Sequence, residues 1–455
     1  MSQRRSLQGQ WSSRFAFVLA ATGSAIGLGS IWRFPFAVGE NGGGTFVATY
    51  LAAVLCLGLP LMMAEVMLGR RGRRNPITTM TLLSEEEAGH RAWRWVGVLG
   101  VATGLLILSY YSVIAGWTLA YAVRLASGAT LGVDAASAAG AFSALRSDPL
   151  EALLWHSAFL GAAAWVVGRG VVDGLERAVT VTMPLLVVLL VVLVAWAARH
   201  GDLERALAYL FEGDAARVDP PMVLAAFAQA FFTLSIGVGA LMAYGAYLPA
   251  TTRIGGASLT IVAANCFVSL LAGLTIFPLA FRHGIDPAQG EGLLFTTLPL
   301  AFVAMPGGRL FGTLFFLLLV LAALGSAIAL LEPAVAWAVE RRALVRPRAA
   351  LAVAGLVWLL GIGSALSFNL LAGLSFGHGD LFDSVEFVTS RVLLPLSALS
   401  LSLFAGWVMC RGASNEELEV GIGSRYGAWR FAVRWLAPAA LVGAGAAVLV
   451  GWLGG

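Results

Sequence analysis

Apolar residues run along this chain in long blocks joined by short polar stretches. Blocks of spanning length lie near residues 13–37, 44–69, 95–126, 151–168, 176–198, 222–248, 257–281, 308–339, 349–368, 385–410 and 431–453. About 20 apolar residues suffice to cross a bilayer as a helix. The pattern therefore predicts an all-α membrane protein with about eleven transmembrane helices. The polar stretch 199–221 ends in "DPP", a stop-and-restart signal. The stretch 285–307 is apolar in its middle but short and proline-rich, and reads as a re-entrant or surface-lying hairpin.

Two of the blocks are broken. The first carries "GSAIGLGSIWRFPF" at 23–36, and the sixth carries "SIGVGA" at 235–240. Five spans separate the breaks, an odd number, so a second half built like the first would insert upside down. Glycine-interrupted segments at corresponding positions of two halves are the sequence mark of a transporter built from inverted repeats. The expected division is a cytoplasmic N-terminal segment at 1–11 and a first inverted repeat at 12–198, spans 1–5. An extracellular loop at 199–221 leads to a second repeat at 222–410, spans 6–10. A cytoplasmic loop and the eleventh span fill 411–455.

A glycine costs about 1 kcal/mol in a helix interior, and an unpaired backbone group in hydrocarbon costs several. Such breaks persist where something else satisfies the freed groups. Freed carbonyls can hold a hard cation such as sodium, and freed amides at the positive end of a half-helix can hold a carboxylate. The bland alternative is close helix packing through small residues. Two breaks in register, with Ser24, Ser30, Thr233 and Ser235 inside them, favour a ligand site.

Composition sharpens this picture. Of the 455 residues, 59% are hydrophobic and 12% charged, against about 25% charged in soluble domains. All 29 basic residues are arginine; with the N-terminus inside, about 20 fall in cytoplasmic segments and about 7 in outer ones. Arg4 and Arg5 precede the first block as in a signal peptide, but Ser12, Ser13 and Arg14 open it, so it reads as a span. Cys56, Cys266 and Cys410 are too few and scattered for a disulfide framework and are expected to be buried. Five scattered histidines suggest no metal site, and no paired carboxylates or phosphate loop point to an enzyme.

The stretches "WSSRFAFVLAATGSAIGLGSIWRFPF", "ENGGGTF", "QAFFTLSIGVGALMAYGAY" and "AALGSAIALLEP" resemble the neurotransmitter:sodium symporter family, in its bacterial amino-acid transporter branch with the leucine-transporter-like fold. The resemblance runs from about Trp11 to Trp407. It implies a substrate site at Ser24, Ala25, Leu28, Gly29, Ile107, Tyr111, Phe232, Thr233, Ser235, Val238, Ser326 and Leu330. Amine carriers of the family place an aspartate where Gly27 stands, so the substrate here is expected to bring its own carboxylate. Ile107, Val238 and Leu330 imply a neutral hydrophobic amino acid.

The resemblance also implies two sodium sites. One takes the Ala25 carbonyl, Ser30, Thr233, Asn265 and the substrate carboxylate. The other takes carbonyls of Gly23, Ile26 and Ala322, the residue at Gly325, and Ser326. The family's asparagine is Ser30 here, and Gly325 offers no side-chain oxygen. Sodium coupling is therefore expected to be weakened, altered in stoichiometry, or lost at one site. Tyr50, Gln229, Thr233, Asn265 and Ser269 stand at the family's chloride positions, with no acid in "NCFVSLLAG" to replace the anion.

Gates complete the expectation. Arg33 pairs with Glu386 outside; Trp11, Tyr247 and Glu340 close the inside, with Gln8 in place of the usual arginine and Arg5 one turn upstream. Glu65, an acid within span 2, is expected to be structural. The reading is sodium-coupled uptake of a neutral hydrophobic amino acid by alternating access. A non-transporting amino-acid sensor and a proton-coupled or uncoupled carrier are the rivals.

Overall fold

The computed structural model describes residue 4 and residues 6–128, 135–284, 293–303, 305–375, 377, 379–418 and 424–453. Their regular structure is helix alone, with no strand among the described residues. Spans 2 to 5 are Gly44–Gly72, Arg94–Ser127, Pro149–Gly168 and Val171–His200; spans 7 to 10 are Ile254–Arg282, Gly308–Arg342, Arg346–Leu366 and Leu381–Val408. Span 1 is a bent pair, Arg14–Ala25 and Gly29–Glu40, turned through 57°. Span 6 is likewise divided, into Pro220–Thr233 and Ala240–Ala246. The eleventh block lies on Ser424–Phe431, Ala432–Leu436 and Ala437–Leu453.

Caps start the helices where the sequence signals them. The Ser13 side chain accepts from Ala16 N at the head of span 1, and Asp219, of "DPP", accepts from Met222 N at the head of span 6. Spans 3, 4, 8 and 9 pack on one another as a scaffold. Spans 1, 2, 6 and 7 form a second group, in which Ala240–Ala246 of span 6 lies along span 2 and Arg14–Ala25 of span 1 along span 7.

The breaks have local causes. In span 1 the helical ladder ends with Ile26 N donating to Thr22 O at 2.7 Å, and a π-helical turn at Gly29–Arg33 restarts it. Such turns recur at functional sites. In span 6 the chain passes through left-handed conformations at Ser235, Gly237 and Gly239, with φ of 52°, 85° and 76°. A side chain at Gly237 would also place its Cβ 2.9 Å from Ala398 N of span 10.

Two expectations need correction or narrowing. Cys56 and Cys410 are exposed and Cys266 is half-buried. An apolar block has both a lipid face and a core face, and a small thiol fits either; block membership alone does not bury it. Of the expected hairpin, residues 285–292 and 304 lie outside the described residues. Leu293–Thr297 and Leu298–Val303 form short helical turns whose Phe295 and Phe302 are fully buried. Phe295 stacks on Phe142, its carbonyl accepts from the Tyr121 hydroxyl at 2.8 Å, and the turns rest on span 8.

Candidate functional site

The two breaks face each other across a small, nearly filled cavity of about 30 Å³. Ala25, Gly29, Ile107, Tyr111, Phe232, Ser235, Val238, Ser326 and Leu330 line it, as expected from the sequence. Gly27 and Leu394 line it too. Leu394 is one of several leucines in "VLLPL" of span 10, where nothing in the pattern singles it out. Ser24, Leu28 and Thr233 stand behind the wall and organise it. The Ser24 carbonyl accepts from Ser235 Oγ at 3.1 Å and Ser326 Oγ at 3.0 Å, tying break 1 to break 6 and span 8. Leu28 N donates to the Tyr111 hydroxyl at 3.2 Å, which leaves the phenolic proton directed elsewhere.

Gly27 decides what cannot bind. A Cβ there would sit 2.3 Å from Ser326 Oγ and 2.9 Å from the Tyr111 hydroxyl. A side chain at this point would have to displace both hydroxyls, and as a glycine the residue brings no carboxylate to the cavity. An anionic group in the cavity must come from the ligand, opposite the Leu28 amide and the Tyr111 hydroxyl.

Beside the cavity lies a cluster of oxygens. Ser30 Oγ is 3.1 Å from Ala25 O, 2.7 Å from Thr233 Oγ1 and 2.8 Å from Asn265 Oδ1. Thr233 Oγ1 is 3.5 Å from the same Asn265 oxygen. Only two hydroxyl protons serve these four contacts, because the carbonyl oxygens of Ala25 and Asn265 bring none. Four fully buried oxygens with surplus lone pairs suit a hard cation such as sodium. The second set behaves differently. A Cβ at Gly325 would lie 2.5 Å from Gly23 O, so the backbones of spans 1 and 8 meet directly there, and Ser326 Oγ is given to Ser24 O.

The expected chloride residues surround the same cluster. Asn265 Nδ2 donates to the Tyr50 hydroxyl at 3.3 Å, and Ser269 Oγ lies beside that hydroxyl without bonding its own helix backbone. Gln229 is turned away, donating to Gly29 O at 2.9 Å. Glu65 is fully buried and accepts from Gly237 N at 2.9 Å, holding the freed amides of break 6 as its structural reading requires.

Both ends of the cavity are closed. At one end, Arg33 lies 4.2 Å over the Phe232 ring and 3.5 Å from Glu386. Phe232 lines the cavity on one face and, on the other, an outer vestibule bounded by Arg33, Glu40 and Arg391. At the other end, Trp11 is locked by its backbone N on Tyr247 O and its indole N–H on Tyr244 O, both at 3.0 Å. Tyr247 donates to Glu332 at 2.6 Å, not to Glu340. Arg346 pairs with Glu332 and donates to Gln8 Oε1 at 3.0 Å. Glu340 is held by Asn75 Nδ2 at 2.6 Å. Arg5 lies outside the described residues. The guanidinium of the inner seam thus comes from Arg346. Glu332 was not among the expected gate residues, although an acid within the apolar "AIALLEPAV" marks it in the sequence.

Facing helix breaks around a closed site, between a four-span scaffold and a four-span bundle, define an inverted-repeat secondary transporter. A family model described as "Sodium:neurotransmitter symporter family" matches residues 8–130 and 153–450. The chain belongs to that family, whose members are transporters and not enzymes. An uncharacterized sodium-dependent transporter of Bacillus subtilis, YhdH, is 36% identical over 97% of each chain. One from Methanocaldococcus jannaschii is 33% identical over 92% of this chain and 86% of its own. The crystal structure of MhsT in complex with L-phenylalanine matches with a TM-score of 0.88 and 38% identity, over 96% of this chain and 98% of that one. The protein is a multi-pass membrane transporter of a small molecule, in a sodium-dependent family, with the leucine-transporter fold.

Proposed function

We propose that this transporter carries a neutral hydrophobic amino acid inward with sodium by alternating access. The observation that carries the reading is that Gly27 and the rest of the cavity lining bring no carboxylate of the protein's own. The substrate carboxylate then meets the Leu28 amide and Tyr111 hydroxyl, and its ammonium meets carbonyls of the breaks. Its side chain meets Ile107, Val238, Leu330 and Leu394. The MhsT complex, which holds L-phenylalanine, supports the same chemical class.

Sodium joins the substrate carboxylate at Ala25 O, Ser30, Thr233 and Asn265. The meeting of Gly325 with Gly23 argues for a weak second ion, or none, and hence for coupling close to one sodium per substrate. Chloride beside Tyr50 and Ser269 balances that charge when bound. The arginine distribution puts the N-terminus in the cytoplasm and the vestibule outside. Two repeats, 12–198 and 222–410, supply the two breaks. Arg33 and Glu386 close over the loaded site; release follows when the inner half of span 1 leaves Tyr244 and Tyr247.

Purified protein in proteoliposomes tests this directly. An inward sodium gradient should drive accumulation of labelled leucine or phenylalanine above the equilibrium level, and replacement of sodium by choline should abolish it. Binding without accumulation would make the protein a sensor. Accumulation driven equally well by a proton gradient in choline would reject sodium coupling.

A further inference from the structure

A second cavity lies far from the transport site, where span 10 ends and span 11 begins. It encloses about 250 Å³, and Arg411, Arg430 and Arg434 line it together with Tyr426, Phe431 and Trp435. No carboxylate lies within 4.0 Å of any of these three guanidiniums among the described residues. Two neighbouring arginines do have carboxylate partners: Arg70 pairs with Glu417, and Arg71 with Glu87. Three like charges on one concave surface repel unless an anion joins them.

The cavity is built rather than incidental. Arg430 is nine-tenths buried and is aimed by bonds to the Tyr426 hydroxyl at 2.8 Å and Met409 O at 3.2 Å, while its Nε has no partner. Arg434 lies 4.0 Å over the Trp407 ring, and its buried Nε is likewise unpartnered. Trp407 donates to Arg434 O at 2.9 Å, and at Gly406 a Cβ would come within 2.8 Å of Arg434 Cα, so spans 10 and 11 are fixed against each other here. Exposed Trp407, Phe431 and Trp435 surround the opening. Exposed tryptophans at a span end mark the level of the lipid headgroups.

We propose that this cavity binds the phosphate headgroup of an anionic phospholipid in the cytoplasmic leaflet. Guanidinium forks match phosphate oxygens bidentately, and basic pockets between spans on the cytoplasmic face suit lipid phosphates. Phe431 and Trp435 lie alongside the acyl chains. The leaflet follows from the arginine distribution; the cavity's chemistry does not depend on what the transporter carries.

The test compares the full-length protein in phosphatidylcholine nanodiscs with and without phosphatidylglycerol. Phosphatidylglycerol should raise the thermal midpoint and be retained preferentially in native mass spectra. The double variant Arg411→Gln, Arg434→Gln, which leaves the structural bonds of Arg430 intact, should keep the phosphatidylcholine midpoint. It should lose selective retention about fivefold per guanidinium, or about 1 kcal/mol each. If the variant melts early in phosphatidylcholine, Arg411→Gln alone is read by retention, and unchanged retention overturns the proposal. Equal retention of both lipids by the native protein overturns it. So does a full gain in midpoint from millimolar glycerol 3-phosphate in phosphatidylcholine, which would assign the site to a soluble phosphate.

Discussion

The two broken helices meet the same difficulty with opposite means. Break 1 presents carbonyls. Its Ser24 and Ala25 oxygens are satisfied by three hydroxyls, those of Ser235, Ser326 and Ser30, and its Leu28 amide by a fourth, that of Tyr111. Break 6 presents amides, and a carboxylate on a neighbouring span, Glu65, holds Gly237 N, while Ser397 Oγ donates to Gly237 O. Hydroxyls rotate and exchange partners at little cost. A buried carboxylate bonded to amides does not, because each lost partner leaves a desolvated group behind. Break 1 is thus the adaptable half of the site, and break 6 is the fixed half against which a ligand is measured.

The largest effect should come from removing the fixed half. Glu65→Ala leaves the Gly237 amide unpaired among apolar neighbours, at about 1–3 kcal/mol for each stranded donor. The variant should melt well below the native protein and bind no amino acid, and Glu65→Gln, which keeps one accepting oxygen, should fall between. Native melting and sodium-dependent binding in Glu65→Ala would mean that break 6 holds itself, and the contrast would fail.

Tyr111→Phe probes the adaptable half. It removes one hydroxyl from the Leu28 amide, and a ligand carboxylate loses the same hydroxyl. The substrate dissociation constant at saturating sodium should rise about tenfold, the worth of one hydrogen bond to a charged group. The thermal midpoint without substrate should fall by less than in Glu65→Ala, because the Leu28 amide borders the cavity, where water can replace the hydroxyl. An equal loss of midpoint and affinity would class Tyr111 with Glu65 as structural.

Much of this contrast was legible in the sequence, because glycines inside apolar blocks announce broken helices and their spacing announces the repeat. The residues that line the cavity from break 1 and break 6 follow from the motifs themselves. What stayed hidden depends on distance in space. Leu394 lies in a block with no internal landmark. The partner of Tyr247 could have been Glu332 or Glu340, one turn pair apart along span 8, and only packing selects the former. Arg346 reads as one arginine among several in "ERRALVRPR" until the loop brings it to Gln8 and Glu332. The thiols show the same limit, since a block does not say which of its faces meets lipid.

The smallest effect concerns the ion and refines break 1 further. Ser30→Asn replaces a hydroxyl with an amide carbonyl, a stronger sodium ligand, in a cluster whose other oxygens already converge. The sodium concentration for half-maximal substrate binding should fall a few-fold, since each 1.4 kcal/mol is a factor of ten and one improved ligand supplies less than that. Gly325→Thr should not add to it. Its Cβ would press on Gly23 O, so the new hydroxyl becomes useful only if the inner half of span 1 moves away from span 8, and that movement also strains the Ser326–Ser24 bond. Sodium titrations of both variants and their combination, at constant ionic strength in choline, separate the cases. An additive gain from Gly325→Thr would show that spans 1 and 8 part readily and that a second ion site lies latent between them; a loss on top of the Ser30→Asn gain would confine sodium to the oxygens beside the substrate.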